Sequence, residues 1–286
     1  MSRSESTPTL YSRQTLYRYS LGNRLGKGGF GEVFRGHLLD LNKPVALKRF
    51  RRRKGSPVRE NWAREYLLHS SLSHPSILQV LDAFEDDGYY YIVTERAKFS
   101  LDANIDDGLL WSPLDVIRAG MQISSALHYL HVHFRDEQPL LHRDVTPKNI
   151  FYFQRSDTFK LGDFGISKLL DDVDDVAVTQ IANWGFVAPE LVRARYTDPQ
   201  SDLYQLGLVL YAMASGGYAV DQRLSIEKKK QAIADGLPFK QANALEAPLP
   251  LKDVIKGLLF RNTKKRYQTA SEVFKALYRL RRLGAA

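Results

Sequence analysis

The chain has 286 residues, of which 44% are hydrophobic and 26% are charged, and its formal net charge is +9. This composition indicates a globular protein with a sizeable core and excludes a disordered or fibrous chain. The absence of cysteine excludes disulfides, thiolate metal sites and cysteine nucleophiles. No apolar run approaches the roughly 18 residues that span a bilayer, so we expect a soluble protein without a membrane segment.

The N-terminal third of the chain predicts a small sheet with one helix. Residues 1–17 are rich in Ser and Thr and lack an apolar pattern, which predicts a flexible tail. Residues 58–72 have the character of a helix that stops before His74 and Pro75. Short apolar alternations separated by glycines predict strands joined by tight turns. These strands are expected over residues 19–36, 43–50, 76–86 and 88–96.

The rest of the chain is predicted to be mainly helical. Ser112 is a suitable N-cap and Pro113 a suitable first residue for a long helix through residue 134. A loop-rich segment over residues 140–190 separates this helix from the later ones. Those later helices are expected over residues 201–214, 225–235, 250–260 and 270–282. A connector near Glu95 to Ser100 would join the two parts.

Three glycines, Gly26, Gly28 and Gly31, lie between two predicted strands. Without a Cβ atom they let the backbone come close to phosphate groups. A glycine-rich hairpin with no ligand is the alternative interpretation. No Gly-Lys-Ser/Thr sequence follows, so the segment is not a P-loop.

Lys48 ends an apolar strand, and Glu65 lies seventeen residues later in the predicted helix. A glutamate partner would keep the lysine charged and oriented to hold phosphate oxygens. A surface lysine at a strand end is the alternative.

The strongest evidence for a catalytic function comes from residues 142–149 (HRDVTPKN) and the later Asp163-Phe164-Gly165. Asp144 could accept a proton from a hydroxyl group, and the amide oxygen of Asn149 could ligate Mg²⁺. The carboxylate of Asp163 could bridge the metal to phosphates. Helix caps or turns would explain each aspartate singly, but not their order and spacing.

These motifs, followed by Ala188-Pro189-Glu190, resemble eukaryotic-type (Hanks-type) protein kinases over residues 18–283. The resemblance implies an α+β bilobal fold. A small β-rich N-lobe with one main helix would cover about residues 18–95, and a larger α-helical C-lobe about 100–283. Further along the chain, Asp202 and Gly207 match later landmarks of the family, and Arg266 matches the arginine that pairs with the Glu190 position.

The resemblance also implies the residues of the site. Lys48, Glu65 and Asp144 would be catalytic, and Asn149 and Asp163 would ligate Mg²⁺, with Mn²⁺ as the alternative. The residues expected to bind ATP are Leu25, Gly26, Gly28, Gly31, Val33, Ala46, Lys48, Thr94, Glu95 and Ala97.

We therefore expect transfer of the ATP γ-phosphate to Ser or Thr of protein substrates, together with autophosphorylation. The basic residues are scattered, so no nucleic-acid partner is expected. We place the chain in the cytoplasm, either alone or as the cytosolic part of a larger protein. The sequence does not determine its oligomeric state.

The chain departs from the family at Thr146, where serine/threonine kinases usually carry a lysine. Lys148 lies where tyrosine kinases keep an arginine, and we consider it the replacement cation for the γ-phosphate. A solvated loop lysine is the alternative. Ala182-Asn183 replaces the usual Gly-Thr. A tyrosine or dual-specificity kinase and a pseudokinase scaffold are the alternative functions.

Arg143 is the cation that a phosphorylated activation loop usually engages in this family. Thr179 is the candidate phosphorylation site, because Ser167 lies too near Asp163. The aspartates between residues 171 and 175 could engage Arg143 without a phosphate.

Overall fold

A computed structural model describes residues 8–13, 15–28, 31–52, 57–133, 139–164, 168–169 and 183–284. The chain divides into two compact units. The first runs up to Ser73 and includes Ile77–Ala97, and the second comprises His74–Ser76 and the chain from Lys98 onward.

Among its described residues, the first unit consists of an antiparallel six-stranded sheet and one α-helix. Its elements are β1 (Thr9–Tyr11), β2 (Arg18–Gly28), β3 (Gly31–Leu38), β4 (Lys43–Arg51), α1 (Val58–Ser70), β5 (Val80–Asp86) and β6 (Tyr89–Glu95). The strand order is β1-β2-β3-β4-β6-β5.

Alternation along β4 gives the sheet two different faces. Val45 and Leu47 are fully buried in a cluster that also contains Tyr19. Ala46 and Lys48 lie on the opposite face, where α1 packs. There the Trp62 indole stacks on Tyr90, with 4.9 Å between ring centroids. Each face therefore has its own apolar contacts.

The prediction of a flexible tail over residues 1–17 is wrong for β1. Leu10 pairs with Tyr19 of β2 and is buried. The hydroxyl groups of Thr15 and Tyr19 donate to Oδ2 of the buried Asp82, at 2.7 and 2.8 Å. These contacts order a segment whose short apolar pattern gives no periodic signal.

The second unit is mainly helical. Its helices are α2 (Leu101–Asp106), α3 (Pro113–His133), α4 (Pro189–Ala194), α5 (Pro199–Ser215), α6 (Ile226–Ala234), α7 (Leu237–Ala244), α8 (Leu249–Leu258) and α9 (Ala270–Leu283). Its short strands are β7 (Phe99–Ser100), β8 (Leu140–Leu141), β9 (Ile150–Phe153), β10 (Thr158–Leu161) and β11 (Lys168–Leu169). The order β10-β9-β7 forms one sheet, and β11 pairs with β8.

Helix α5 forms the centre of this unit, since every residue from Ser201 to Met213 is buried. Asp198 caps it by accepting from the Ser201 N–H at 2.9 Å. Helix α3 packs closely against α5 and α9. A Cβ on Gly120 of α3 would lie 3.1 Å from Leu210 of α5 and 2.6 Å from Leu277 of α9.

The predicted fold class is confirmed, with strands and one helix in the first unit and mostly helices in the second. The long helices α1, α3, α5, α6, α8 and α9 match their predicted segments. The shorter α2, α4 and α7 and the strands β7 to β11 were not predicted.

Candidate active site

The loop over residues 142–149, which we call the catalytic loop, connects β8 to β9. Its last residues, Pro147–Asn149, form one turn of 3-10 helix. The Asn149 side chain turns back and donates from Nδ2 to Oδ2 of Asp144 at 2.7 Å and to its carbonyl oxygen at 2.9 Å. The structure thus brings together two residues that were singled out from the sequence.

Asp202, in the first turn of α5, holds the start of the catalytic loop. Its Oδ2 accepts from the backbone N–H of His142 at 2.9 Å, and its Oδ1 from that of Arg143 at 2.8 Å. His131 of α3 bonds to the same carboxylate at 2.9 Å. Asp202 is 1% exposed, so these bonds are made away from water. Arg143 is held with φ at +67°, an uncommon value for a residue other than glycine.

Gln205, one helical turn later, continues this support. It accepts from the Val145 N–H at 3.0 Å and donates to the Arg143 carbonyl at 3.0 Å. Sequence reasoning missed Gln205. The only available signal was its i+3 spacing from Asp202, which puts both side chains on one face of α5.

The electrostatic surroundings of Asp144 suit a proton acceptor. Burial and the neighbouring Asp163 carboxylate raise the pKa of Asp144 to about 6, while Asn149 and Lys148 act in the opposite direction. A carboxyl group with a pKa near the working pH can both take up and release a proton.

Asp163 follows β10 with φ at +61°, and its flanking residues are held in place. The Gly162 N–H donates to the Asn149 carbonyl at 2.9 Å, which links the segment to the catalytic loop. The buried Phe164 ring meets His142 edge-on, with 4.8 Å between centroids. Burial lowers the pKa of His142, which favours the neutral imidazole, and Nε2 of its ring bonds to the Gly162 carbonyl at 3.2 Å.

Asp163 and Asn149 are the residues that could hold a divalent cation. The Asp163 carboxylate raises the pKa of Asp144, and such repulsion between two negative charges favours a cation. Asn149 uses its Nδ2 group on Asp144, which leaves the amide oxygen as its ligand atom. The described residues contain no group of three or more His, Asp or Glu side chains that could hold a metal ion. Mg²⁺ commonly combines one or two protein ligands with oxygens of phosphate and water.

In the first unit, Lys48 and Glu65 form an ion pair with 2.6 Å between Nζ and Oε1. The lysine side chain is 17% exposed and that of glutamate 7%. A short pair in partly desolvated surroundings keeps the ammonium group charged and directed.

Strand register places other predicted ATP-binding residues around Lys48. Val33 lies opposite Lys48, and Ala46 opposite Thr94. Because Ala46 and Lys48 are two residues apart, all four side chains share one face of the sheet. Thr94 and Glu95 end β6, Ala97 closes the first unit, and Leu25 is 47% exposed in β2.

The glycines of the β2–β3 hairpin differ in whether steric packing excludes a side chain at their positions. A Cβ on Gly31 would lie 2.6 Å from the Arg49 carbonyl oxygen, so strand packing demands glycine there. A Cβ on Gly26 would meet no described atom within 4 Å. Packing within the described residues therefore does not explain Gly26, whereas a closely bound ligand would. Gly28 pairs with Gly31 in the same hairpin.

A buried ion pair fixes the start of α4. Arg266 donates to both carboxylate oxygens of Glu190, at 2.8 and 3.1 Å. Although burial opposes it, this pairing lowers the pKa of Glu190. The Ser201 hydroxyl donates to the same carboxylate at 2.6 Å. Since Ser201 precedes Asp202, one turn of α5 supports both α4 and the catalytic loop.

The catalytic loop contains two residues, Thr146 and Lys148, at which the sequence departs from the usual pattern, and their surroundings differ. Thr146 is buried, whereas Lys148 is exposed. Lys148 is near enough to Asp144 to lower the pKa of that carboxyl group. Thr179, Gly165 and Asp171 to Asp175 lie outside the described residues.

Comparison with known proteins finds that residues 19–278 match the protein kinase domain. The chain belongs to the protein kinase family. It is 30% identical over 273 residues to a probable serine/threonine-protein kinase of Clostridium perfringens, an alignment that covers 93% of this chain and 38% of that protein.

Two further relatives come from eukaryotes. An L-type lectin-domain containing receptor kinase of Arabidopsis thaliana is 34% identical, with 70% of this chain and 31% of that protein covered. Serine/threonine-protein kinase 36 of Mus musculus is 35% identical, with 70% and 15% covered. Across the described residues of this chain, no helix is both long and apolar enough to cross a membrane.

Proposed function

We propose that this protein kinase transfers the γ-phosphate of ATP to serine or threonine hydroxyl groups of proteins, with magnesium as the metal and with autophosphorylation. The observation that carries the proposal is the geometry of the catalytic loop, where Asn149 holds an Asp144 whose pKa is raised to about 6. The Clostridium perfringens and Mus musculus relatives, both named serine/threonine-protein kinases, support the specificity.

The nucleotide would bind on the Lys48 face of the sheet. Lys48, kept charged by Glu65, would donate to the α- and β-phosphate oxygens. Gly26 would let the backbone approach the phosphates. The residues proposed to surround the rest of the nucleotide are Leu25, Gly28, Gly31, Val33, Ala46, Thr94, Glu95 and Ala97.

In the second unit, Asn149 and Asp163 would hold Mg²⁺, which when bound neutralises charge on the phosphates. Asp144 would orient the acceptor hydroxyl and take its proton as the oxygen attacks the γ-phosphorus and ADP leaves. Lys148 would neutralise the transferring phosphoryl group in place of the lysine that Thr146 replaces. Such catalysis rests on positioning and electrostatics rather than on a covalent intermediate.

We also propose Arg143 as the regulatory cation, with a phosphate on Thr179 as its partner. The acidic segment between Asp171 and Asp175 is the alternative partner. Retention of Lys48, Asp144 and Asp163 argues against a pseudokinase. Analysis of Thr179→Ala for a lag in activity separates the two regulatory alternatives.

The direct test is incubation with γ-labelled ATP and Mg²⁺, followed by phosphosite mapping on the protein and on a generic protein substrate. We expect labelled Ser or Thr in the wild type. We expect no transfer by Asp163→Asn or Lys48→Met, because each removes charge from the phosphate cluster and not apolar packing. Near-normal transfer by either variant would contradict the site, and a map dominated by tyrosine would contradict the specificity.

The role of Lys148 has its own test. If it meets the transferring phosphoryl group, Lys148→Ala should lower kcat by about 10- to 1,000-fold. Lys160→Ala, which removes another lysine of the same unit, is the control. A kcat and an ATP KM both within about twofold of wild type would leave Lys148 as a solvated loop residue.

A further inference from the structure

The face of the sheet opposite Lys48 carries a charged and aromatic cluster next to the β2–β3 hairpin. Glu32 of β3 accepts from Arg24 at 2.9 Å through Oε1 and from Arg49 at 2.8 Å through Oε2. The Arg49 guanidinium lies between two rings, 4.4 Å from the Phe34 centroid and 4.5 Å from that of Tyr89. We call these five residues the Glu32 clamp.

The clamp lies where the backbone pairing of the hairpin is weakest. The ladder between β2 and β3 shifts register twice, between Leu21 and Arg24 and between Arg24 and Gly26. Such irregularities interrupt the ladder hydrogen bonds. Arg24 lies between the two shifts, and its bond to Glu32 ties β2 to β3 there. Side chains thus supply a connection that the backbone lacks.

The clamp also connects the hairpin to the strand that carries Lys48. Glu32 directly follows Gly31, and its register partner on β4 is Arg49. Arg49 in turn directly follows Lys48. Since neighbouring residues of a strand point to opposite faces, Arg49 reaches Glu32 on one face while Lys48 meets Glu65 on the other. The position of the hairpin is thereby coupled to that of the phosphate-binding lysine.

This ion pair differs from an ordinary surface pair. The Arg49 side chain is 22% exposed and that of Glu32 is 28% exposed. The pair between Arg52, the residue after β4, and Glu85 of β5 has side chains that are 62% and 43% exposed. Bonds from Arg49 and then Arg24 lower the pKa of Glu32, which keeps it ionised across the physiological range. A partly desolvated pair whose arginine is packed between two rings holds a more definite geometry than an exposed one.

We infer that Glu32 and Arg49 are positioning residues for nucleotide binding, which fix the glycine hairpin over β4 without touching the nucleotide. The inference rests on the proposed function, since the hairpin is taken to bind ATP phosphates. A hairpin held in its binding conformation loses less conformational freedom when the nucleotide binds. Loss of the clamp should therefore weaken ATP affinity and leave the transfer step almost unchanged.

The test uses Glu32→Gln, which keeps the size of the side chain and removes its charge. We expect the Kd and KM for ATP to rise about three- to tenfold, with kcat within about twofold of wild type. Glu85→Gln is the matched control, because it breaks the exposed ion pair between Arg52 and Glu85, a glutamate of the same sheet, and it should leave all three constants unchanged. Arg49→Lys should resemble Glu32→Gln, because an ammonium group lacks the planar fork and the stacking of a guanidinium.

A double-mutant cycle then separates positioning from general destabilisation. Glu32→Gln combined with Arg49→Met should weaken ATP binding by less than the product of the two single effects. Two results would overturn the inference: an ATP Kd for Glu32→Gln equal to that of Glu85→Gln, or a joint fall in kcat and in the unfolding midpoint. Wild-type protein that binds ATP but transfers no phosphate would contradict the proposed activity, while the Kd comparison would still decide the role of the clamp. Wild-type protein that does not bind ATP would overturn both.

Discussion

The catalytic loop and the Lys48 face of the sheet hold their functional side chains in different ways. In the loop, backbone groups of His142, Arg143 and Val145 bond to side chains of α5, which lie about sixty residues further along the chain. On the sheet, the strand ladder sets the positions, and one ion pair orients Lys48. A change in the support of the loop should therefore disturb the fold and the activity together, whereas a change at the ion pair should act mainly on activity.

The largest effect is expected from Asp202→Ala, which breaks the support of the loop. It leaves two backbone N–H groups and His131 without their buried acceptor. We expect a loss of about 3–5 kcal/mol in the free energy of unfolding, measured by urea denaturation, because buried polar partners remain unsatisfied. Activity measured at a temperature where the variant is folded should also fall by at least about 100-fold, since Asp144 loses its fixed position.

Glu65→Gln is the control variant for Asp202→Ala, because it changes the ion pair on the sheet and leaves the support of the loop intact. It removes the charge that orients Lys48, so activity should fall, but the amide can still accept a hydrogen bond. We expect a change of about 1–2 kcal/mol or less in the free energy of unfolding, below that of Asp202→Ala. Equal destabilisation by the two variants would show that the two regions are not supported differently.

The same contrast explains what the sequence could predict. Long periodic segments such as α3 and α5 show apolar spacing that needs no knowledge of the tertiary structure. The order of the motifs similarly predicts functional roles for Lys48, Asp144 and Asp163, and the pairing of Arg266 with Glu190. These features depend on a short stretch of sequence or on residue types at fixed spacings.

Other features depend on contacts between distant segments. Strand β1 has three residues and is ordered by pairing with β2 and by the Thr15 bond to Asp82. Helix α4 has six residues, and the contact of its first turn with Arg266 holds it. The support that Gln205 gives to the loop and the raised pKa of Asp144 also arise only in the folded chain. The residue pattern within one segment does not predict its contacts with a distant segment.

The last prediction concerns Asp144, where a substitution should stabilise the protein, and it tests whether the site is held at a cost in stability. Burial and then Asp163 raise its pKa from 3.8 to about 6. Between these two pH values the folded protein retains a proton that the unfolded chain releases. The protein therefore becomes less stable as the pH rises through this window, and above pH 6 the full cost of the buried charge is present.

Asp144→Asn removes that cost, because the amide is neutral at every pH and can still accept from Asn149. In the absence of nucleotide and metal, we expect the variant to be more stable than wild type by about 1–3 kcal/mol at pH 7.5, although inactive. The difference in urea midpoints should shrink as the pH falls toward 4, because the Asp144 carboxyl of the wild type becomes protonated in the folded protein and begins to be protonated in the unfolded chain.

Asp221→Asn is the control, since Arg223 lowers the pKa of the exposed Asp221 to about 2 and removal of the Asp221 carboxylate should bring no such gain in stability. If the difference between Asp144→Asn and wild type stayed constant from pH 4 to pH 8, ionisation of Asp144 would not be its source. The catalytic loop would then hold its carboxylate without the strain that burial and Asp163 imply.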